Sequence, residues 1–248
     1  LKNRGLIAVI LATGLIHLAT LSMGAEWLNW IFKLLPMALI LTLAIMSPAI
    51  GRRGSVYRRL IVAGLAFSIG GDTLLLLPED PWFVFGLGSF LIGHLFYVAA
   101  MASRWLAPAE RTGEAAKNKQ EGFAIGFTAG IMIIAYSLTM GSKLHGSIMA
   151  DESQSGLWIP VLVYIAVIGA MGWSAIMTRN VLAIAGALLF MASDSILAWN
   201  KFVGDVPLSG VLIMSTYFAA QLLIASSIAG GEPRRIRREE SAPASHNG

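Results

Sequence analysis

The chain has 248 residues, of which 56% are hydrophobic and 13% charged, with a mean hydropathy of +0.70. Soluble domains carry roughly a quarter charged residues, so a soluble enzyme is excluded and an all-α integral membrane protein expected. The net charge of +4 includes four arginines clustered at Arg234, Arg235, Arg237 and Arg238, which points to anionic lipid headgroups rather than nucleic acid. With no cysteine, disulfide and thiolate chemistry are excluded.

Eight apolar segments have the length needed to cross a roughly 30 Å hydrocarbon core. They lie near 5–22, 28–47, 58–77, 83–104, 122–140, 157–177, 180–201 and 208–229. Polar breaks separate them: Gly51-Arg52-Arg53-Gly54 after the second, Pro78-Glu79-Asp80-Pro81 after the third, Arg104 to Glu121 after the fourth. The shortest break is Thr178-Arg179-Asn180. Lys2 and Arg4 before the first apolar run, with Ser22 and Gly24 near its end, resemble a signal peptide, but the run exceeds the usual 7–15 residue core and is read as a span. The spans make one transmembrane domain, residues 1–230, and residues 231–248 a basic tail expected to be disordered.

Alternating the breaks puts all but three of the 18 lysines and arginines on one side. Lys143 and Lys201 fall on the other, and Lys33 lies within the second span. The positive-inside rule then places both termini in the cytoplasm of a membrane expected to be a bacterial inner membrane. His145, in the break after the fifth span, is expected in a solvated loop.

Asp72 and Asp194 lie deep inside spans three and seven, where a carboxyl costs about 2.5–3.5 kcal/mol on insertion scales. A shift of 122 residues superposes their surroundings: Asp72 falls on Asp194, Gly64 on Gly186, Ala63 on Ala185 and Leu75 on Leu197. Spans three and seven point the same way, so the match predicts two parallel four-helix halves; chance recurrence of Gly, Ala and Leu is the plainer account. Gly64, Ser68, Gly71, Asp72 and Leu75 form one helical stripe suited to close packing. His94 and Tyr97 share a face of span four, and Tyr217 and Gln221 share one of span eight. Lys33 stands three residues before Pro36. At 1.5 Å per residue, Asp72, Asp194, Lys33, Asn200 and Lys201 fall in the outer half of the bilayer, with His94 and Tyr217 near the middle. A shared polar cavity facing the outer side accommodates all of them.

Plainer readings stand beside this one. Lys33 and Lys201 snorkel in many membrane helices, His94 and the tyrosines serve as packing residues in most, and an Asp–Lys pair can be purely structural. His17 has no partner at a useful spacing and is read as structural.

The segments Gly71-Asp72, Phe85-Gly86-Leu87-Gly88 with Gly93-His94-Leu95-Phe96-Tyr97, Ser193-Asp194-Ser195 with Asn200-Lys201-Phe202, and Pro207-Leu208-Ser209-Gly210 with Tyr217 and Gln221 together resemble the YhhN-like lysoplasmalogenase family of eight-span membrane enzymes. Lys33 and Pro36 resemble that family's Lys-Pro second span, with Leu34 after the lysine where proline is expected. The resemblance implies hydrolysis of the vinyl-ether bond of a lysoplasmalogen to a fatty aldehyde and a glycerophospho-base, choline or ethanolamine. It implies a lysophospholipid and water as partners, surrounding membrane lipids, no metal and no cofactor; the oligomeric state stays open.

Vinyl-ether hydrolysis needs an acid to protonate the outer alkene carbon and negative charge near the resulting oxocarbenium ion, a division of labour that two carboxyl groups can supply. Asp194 is assigned as the acid and Asp72 as the ionised partner, although Lys201, two turns from Asp194, leaves the reverse assignment open. His94 or Tyr97 is expected to orient water, Tyr217, Gln221 and Asn200 to bond the glycerol, and Lys33 and Lys201 to meet the phosphate. Two other functions fit parts of the pattern: a proton-coupled transporter, and a zinc hydrolase using Asp72, His94 and Asp194.

Overall fold

Within a bilayer the backbone must satisfy its own hydrogen bonds, which leaves an apolar chain of this kind the helix as its local solution. A computed structural model describes residues 3–21, 23, 26–78, 80–106 and 113–229, and every regular element among them is helical. The α-helices are α1 (Arg4–Thr20), α2 (Glu26–Met46), α3 (Gly51–Leu74), α4 (Asp80–Trp105), α5 (Gly113–Ala150), α6 (Trp158–Met177), α7 (Val181–Phe202) and α8 (Ser209–Ser226), with a 3-10 turn, Ser155–Leu157, before α6. The arginine-rich tail and its expected disorder lie outside the described residues, as do Ser22 and Gly24.

Of these helices, six are long and apolar enough to cross a membrane: α2 and α4 to α8. The expectation of eight spans is thus met by composition in six. Helix α1 is apolar but has 17 residues, about 26 Å at the helical rise. Helix α3 carries Arg52, Arg53, Arg58 and Arg59 in its first turns, which dilutes its apolar character. Large side chains point outward along the bundle: Leu15, Met132 and Leu138 are 67%, 68% and 67% exposed, a pattern that only an apolar solvent tolerates at this density.

The shortest break and the α7–α8 connection fall where the sequence places them, for reasons visible in the backbone. At the shortest, Arg179 adopts a left-handed conformation (φ 54°) and Asn180 caps α7, its side-chain oxygen accepting from Ala183 N at 3.0 Å. Between α7 and α8, Asn200 Oδ1 accepts from Val206 N at 2.9 Å, and Leu208 turns left-handed at φ 57°. Three boundaries differ most from expectation: α3 begins at Gly51 and α5 at Gly113, within the expected breaks, and the third is the end of α5. Helix α5 runs well past residue 140, so Lys143 and His145 are helical rather than in a loop. Leu144 and Ile148, one turn apart, are buried together against Val161 of α6, and this apolar pair extends the helix. His145 remains exposed, with its ring 4.6 Å from that of Trp158.

Glycine positions decide the tightest packing. A Cβ on Gly64 would lie 2.3 Å from Tyr97 Cε1, and one on Gly71 would lie 2.6 Å from Phe90 Cδ2. The stripe on α3 thus lets α4 approach closely, and Ser89 Oγ adds a bond to Phe67 O at 2.7 Å. Gly186 does the same for α7 on α8, facing Ile224 Cγ1 at 2.7 Å and Ala220 O at 2.9 Å. The remaining neighbours form a regular set. α1 packs on α2 and α5 on α6, α2 on α3 and α6 on α7, α2 on α8 and α6 on α4. On the arginine-rich side, Arg104 closes the C-terminus of α8, donating to Ser227 O at 2.9 Å and Ile228 O at 3.1 Å while lying over the Tyr57 ring.

Candidate active site

Asp72 is two residues from the end of α3, and Asp194 is in the C-terminal half of α7. Both line a single polar chamber of about 430 Å³. This is the convergence that a shared role for the two repeated aspartates requires, since carboxylates on opposite sides of the bundle could share no chemistry.

Each carboxyl receives one partner from the helix before its own and one from across the bundle. Asp72 takes Lys33 from α2, with Nζ 3.9 Å from Oδ1, and Tyr217 from α8, whose hydroxyl donates to Oδ2 at 2.6 Å. Asp194 takes Tyr164 from α6, whose hydroxyl donates to Oδ2 at 2.5 Å, and faces His94 of α4, with Nε2 3.7 Å from Oδ2. The first carboxyl therefore has a cation and a phenol, and the second a phenol and an imidazole.

The tautomer of His94 follows from its other bond. Nδ1 lies 2.6 Å from the carbonyl oxygen of Phe90, which can only accept, so Nδ1 carries the hydrogen. In a neutral ring Nε2 is then a lone pair, buried and without a hydrogen-bond partner, turned toward an oxygen of Asp194. Two lone pairs facing each other repel, and a proton held by either one relieves this.

A second, narrower cavity of about 60 Å³ runs between α4, α5, α6 and α7. Its walls are apolar, including Leu87, Met140, Leu144, Val161 and Ile165. It shares Asp194, Leu75, Phe83, Phe90 and Leu197 with the polar chamber. Asp194 thus stands at the boundary between a polar room and a greasy cleft.

The other expected site residues divide into two groups. Lys33, Asn200, Lys201 and Tyr217 line the chamber with the aspartates. Lys33 is not a free cation at the rim, because its side chain is 12% exposed and turned to Asp72. Asn200 already commits Oδ1 to the α7–α8 connection. Lys201 lies at the mouth, exposed, with Nζ 5.0 Å from the centre of the Phe83 ring. His94, Tyr97 and Gln221 line neither cavity. His94 sits behind Asp194, while Tyr97 donates to Gln221 Oε1 at 2.7 Å in a fully buried layer. These three stand behind the lining of the two cavities, with His94 in reach of Asp194 and Tyr97 bonded to Gln221. Among the described residues no three His, Asp or Glu side chains gather closely enough for a metal ion.

Three residues of the site escaped the sequence reading. Tyr164 lies in the strongly apolar sixth span, and its only signal was being the one phenol of that segment. His17 was set aside for want of a partner on its own helix; it borders the chamber, fully buried, its ring packed edge-on to Phe218 at 5.5 Å. Asn29, near the start of α2, lines the chamber one turn before Lys33.

Comparison with known proteins identifies the family. The family model for the YhhN family matches residues 28–228. The chain is 31% identical over 227 residues to lysoplasmalogenase TMEM86A of Bos taurus, covering 86% of this chain and 83% of that protein. It is 30% identical over 222 residues to lysoplasmalogenase TMEM86B of Mus musculus, covering 90% and 85%. To the lysoplasmalogenase of Mycobacterium bovis it is 30% identical over 210 residues, covering 84% and 72%. No solved structure matches the chain. A match across nearly all of α2 to α8, taking in both aspartates and their partners, makes the chain a member of the YhhN family.

Proposed function

We propose that this protein is a lysoplasmalogenase, hydrolysing the vinyl-ether bond of a lysoplasmalogen to a fatty aldehyde and a glycerophospho-base inside the membrane. The observation that carries the reading is the place of Asp194. It lies where an apolar cleft meets a polar chamber, with Asp72 on the far wall of that chamber. A lysoplasmalogen has its reactive bond at that kind of boundary, between a hydrocarbon chain and a glycerophosphate. The names of the relatives point to the same substrate.

In the mechanism, Asp194 carries the proton that the His94–Asp194 pair holds and gives it to the outer alkene carbon. The double-bond electrons form the new C–H bond, leaving an oxocarbenium ion. Asp72, kept as a carboxylate by Lys33, stabilises that cation and accepts a proton from the attacking water. The hemiacetal then collapses: Asp72 returns its proton to the departing glycerol oxygen, the hemiacetal hydroxyl gives its own proton to Asp194, and the aldehyde leaves along the cleft. One water is consumed and both carboxyl groups return to their starting states. Tyr164 and Tyr217 hold the two carboxyl groups in register, as second partners of catalytic acids do elsewhere. Lys201 and Asn200, toward the mouth, meet the phosphate.

The same reading takes all eight helices as spans in one transmembrane domain, residues 1–230, with both termini in the cytoplasm of a bacterial inner membrane. Lys33 and the aspartates then lie toward the outer leaflet. Two parallel four-helix halves are part of it, and two features support them. Every extensive helix packing has its counterpart four helices on, α3–α4 with α7–α8 and α2–α8 with α6–α4 included. Gly71, which meets Phe90 of α4, corresponds to Ser193, whose hydroxyl bonds Ile213 O of α8 at 3.0 Å.

The test uses purified protein in detergent. Aldehyde should appear from lysoplasmalogen, and Asp72→Asn and Asp194→Asn should each lower kcat by about 10²–10⁴-fold while the proteins stay folded. Full activity in both variants would end the proposal.

A further inference from the structure

The polar chamber contains buried groups that the carboxylate pairs do not use. His17 is 0% exposed, and neither Nδ1 nor Nε2 makes a hydrogen bond. Asn29, on the next helix, has a buried Oδ1 that is also unbonded. Both residues line the chamber that holds Asp72 and Asp194. Buried polar atoms nearly always have partners, and exceptions point to a missing ligand. The family motifs leave His17 unexplained, since it lies outside the matched residues 28–228. The ring is also held in place: it packs on Phe218, next to Tyr217, and Thr20 Oγ1 donates to the His17 carbonyl at 2.7 Å.

The donor and acceptor inventory selects the ligand. A fully buried ring with no carboxylate bonded to it is neutral, so it offers one N–H and one lone pair, and Asn29 Oδ1 offers further lone pairs. A phosphodiester only accepts and would leave the lone pairs bare. An ammonium only donates and would leave the N–H bare, in a chamber that already contains Lys33. A hydroxyl does both.

We infer that His17 and Asn29 form a hydroxyl-reading subsite that takes the free glycerol 2-hydroxyl of the lysolipid. The inference rests on the proposed hydrolysis. The 2-hydroxyl is on the carbon adjacent to the one bearing the vinyl ether, so a group that grips it also fixes the reacting bond against Asp194 and Asp72. A lipid acylated at that oxygen cannot donate to His17 or Asn29 and brings a second chain into a chamber built for one small polar group. The subsite thus makes the absence of a 2-acyl chain a condition of reaction rather than an accident of size.

The experiment compares three 1-alkenyl glycerophosphoethanolamine substrates on the wild-type protein: the 2-hydroxyl compound, its 2-deoxy analogue and its 2-O-methyl ether. We expect kcat/KM to fall about 10- to 100-fold for the deoxy compound. The methyl ether, which accepts but cannot donate, should fall at least as far. His17→Leu should bring the hydroxyl substrate down to the rate of the deoxy one and abolish the difference between them. His17→Gln, which keeps one donor and one acceptor, should preserve part of it. Equal rates for the hydroxyl and deoxy substrates on the wild-type protein would overturn the inference while leaving the hydrolase intact. So would a His17→Leu variant that slows every substrate by the same factor, the behaviour of a packing residue. No aldehyde from any of the three would overturn both readings.

Discussion

Replacing Lys33 with methionine removes an ammonium and keeps most of the stem, which isolates what the cation does for Asp72. The two charges are 3.9 Å apart, on side chains 12% and 3% exposed. At an effective dielectric near 20, unit charges at that separation attract by about 4 kcal/mol. Desolvation of the ammonium offsets part of this, yet stranding one member of a buried pair typically costs about 3–5 kcal/mol. Tyr217 stays in place as a donor to Asp72, so we expect a loss of about 2–3 kcal/mol in Lys33→Met. Asp72→Asn strands the ammonium instead and should cost a similar amount. The double variant strands neither and should be more stable than either single one. That non-additivity would far exceed the roughly 0.5 kcal/mol within which independent sites add. Thermal unfolding of the four proteins in detergent measures it, with aldehyde release assayed in parallel. Activity should not recover with stability, because the double variant has no carboxylate beside the oxocarbenium ion. Additive stabilities would refute the ion pair, and a restored rate in the double variant would refute the role given to Asp72.

Tyr164→Phe removes the hydroxyl that donates to Asp194 without changing the shape of the apolar cleft. It should lower kcat about 10- to 100-fold with little change in melting temperature, and a wild-type rate would show that Asp194 needs no such partner. Gly64→Ala places a methyl 2.3 Å from Tyr97 and should destabilise the bundle by about 1–3 kcal/mol. Gly88→Ala, where a Cβ meets nothing within 4 Å, is its neutral control; equal melting temperatures for the two would contradict the close α3–α4 packing.

Much of this architecture was legible because membrane insertion writes itself into composition. Apolar length located all eight helices, six of them long and apolar enough to cross a membrane. The carboxylates were legible for the converse reason, since a carboxyl group within an apolar run costs too much to be casual. What failed was anything that depends on which helices face each other across the bundle. Tyr164 and His17 found no polar partner along their own helices, because Tyr164 reaches Asp194 on α7 and His17 faces a chamber lined from α1, α2, α3, α4, α7 and α8. Tyr97 and Gln221 read as site residues on separate helices; in the structure Tyr97 donates to Gln221 Oε1 within a buried layer. The end of α5 was missed because Lys143 and His145 look like loop residues until Leu144 and Ile148 are seen packed on α6.

The partners of the two aspartates explain how a repeated motif can yield unlike functions. On the reading of two parallel halves, Asp72 and Asp194 began as equivalents, each reached by the helix before it and by the last helix of the other half. The contacts keep that symmetry, α2 and α8 for one, α6 and α4 for the other. The side chains on those helices do not. Lysine on α2 sets a cation beside one carboxyl; tyrosine on α6 offers the other a single neutral hydrogen bond and no charge. Tyrosine on α8 donates to Asp72, whereas the imidazole on α4 turns a lone pair toward Asp194 and favours a proton between them. A symmetric pair of carboxyl groups in one chamber would compete for one role. On the proposed mechanism, unlike neighbours separate them into a proton donor beside the apolar cleft and an anion beside the lysine, which is the division that vinyl-ether hydrolysis requires.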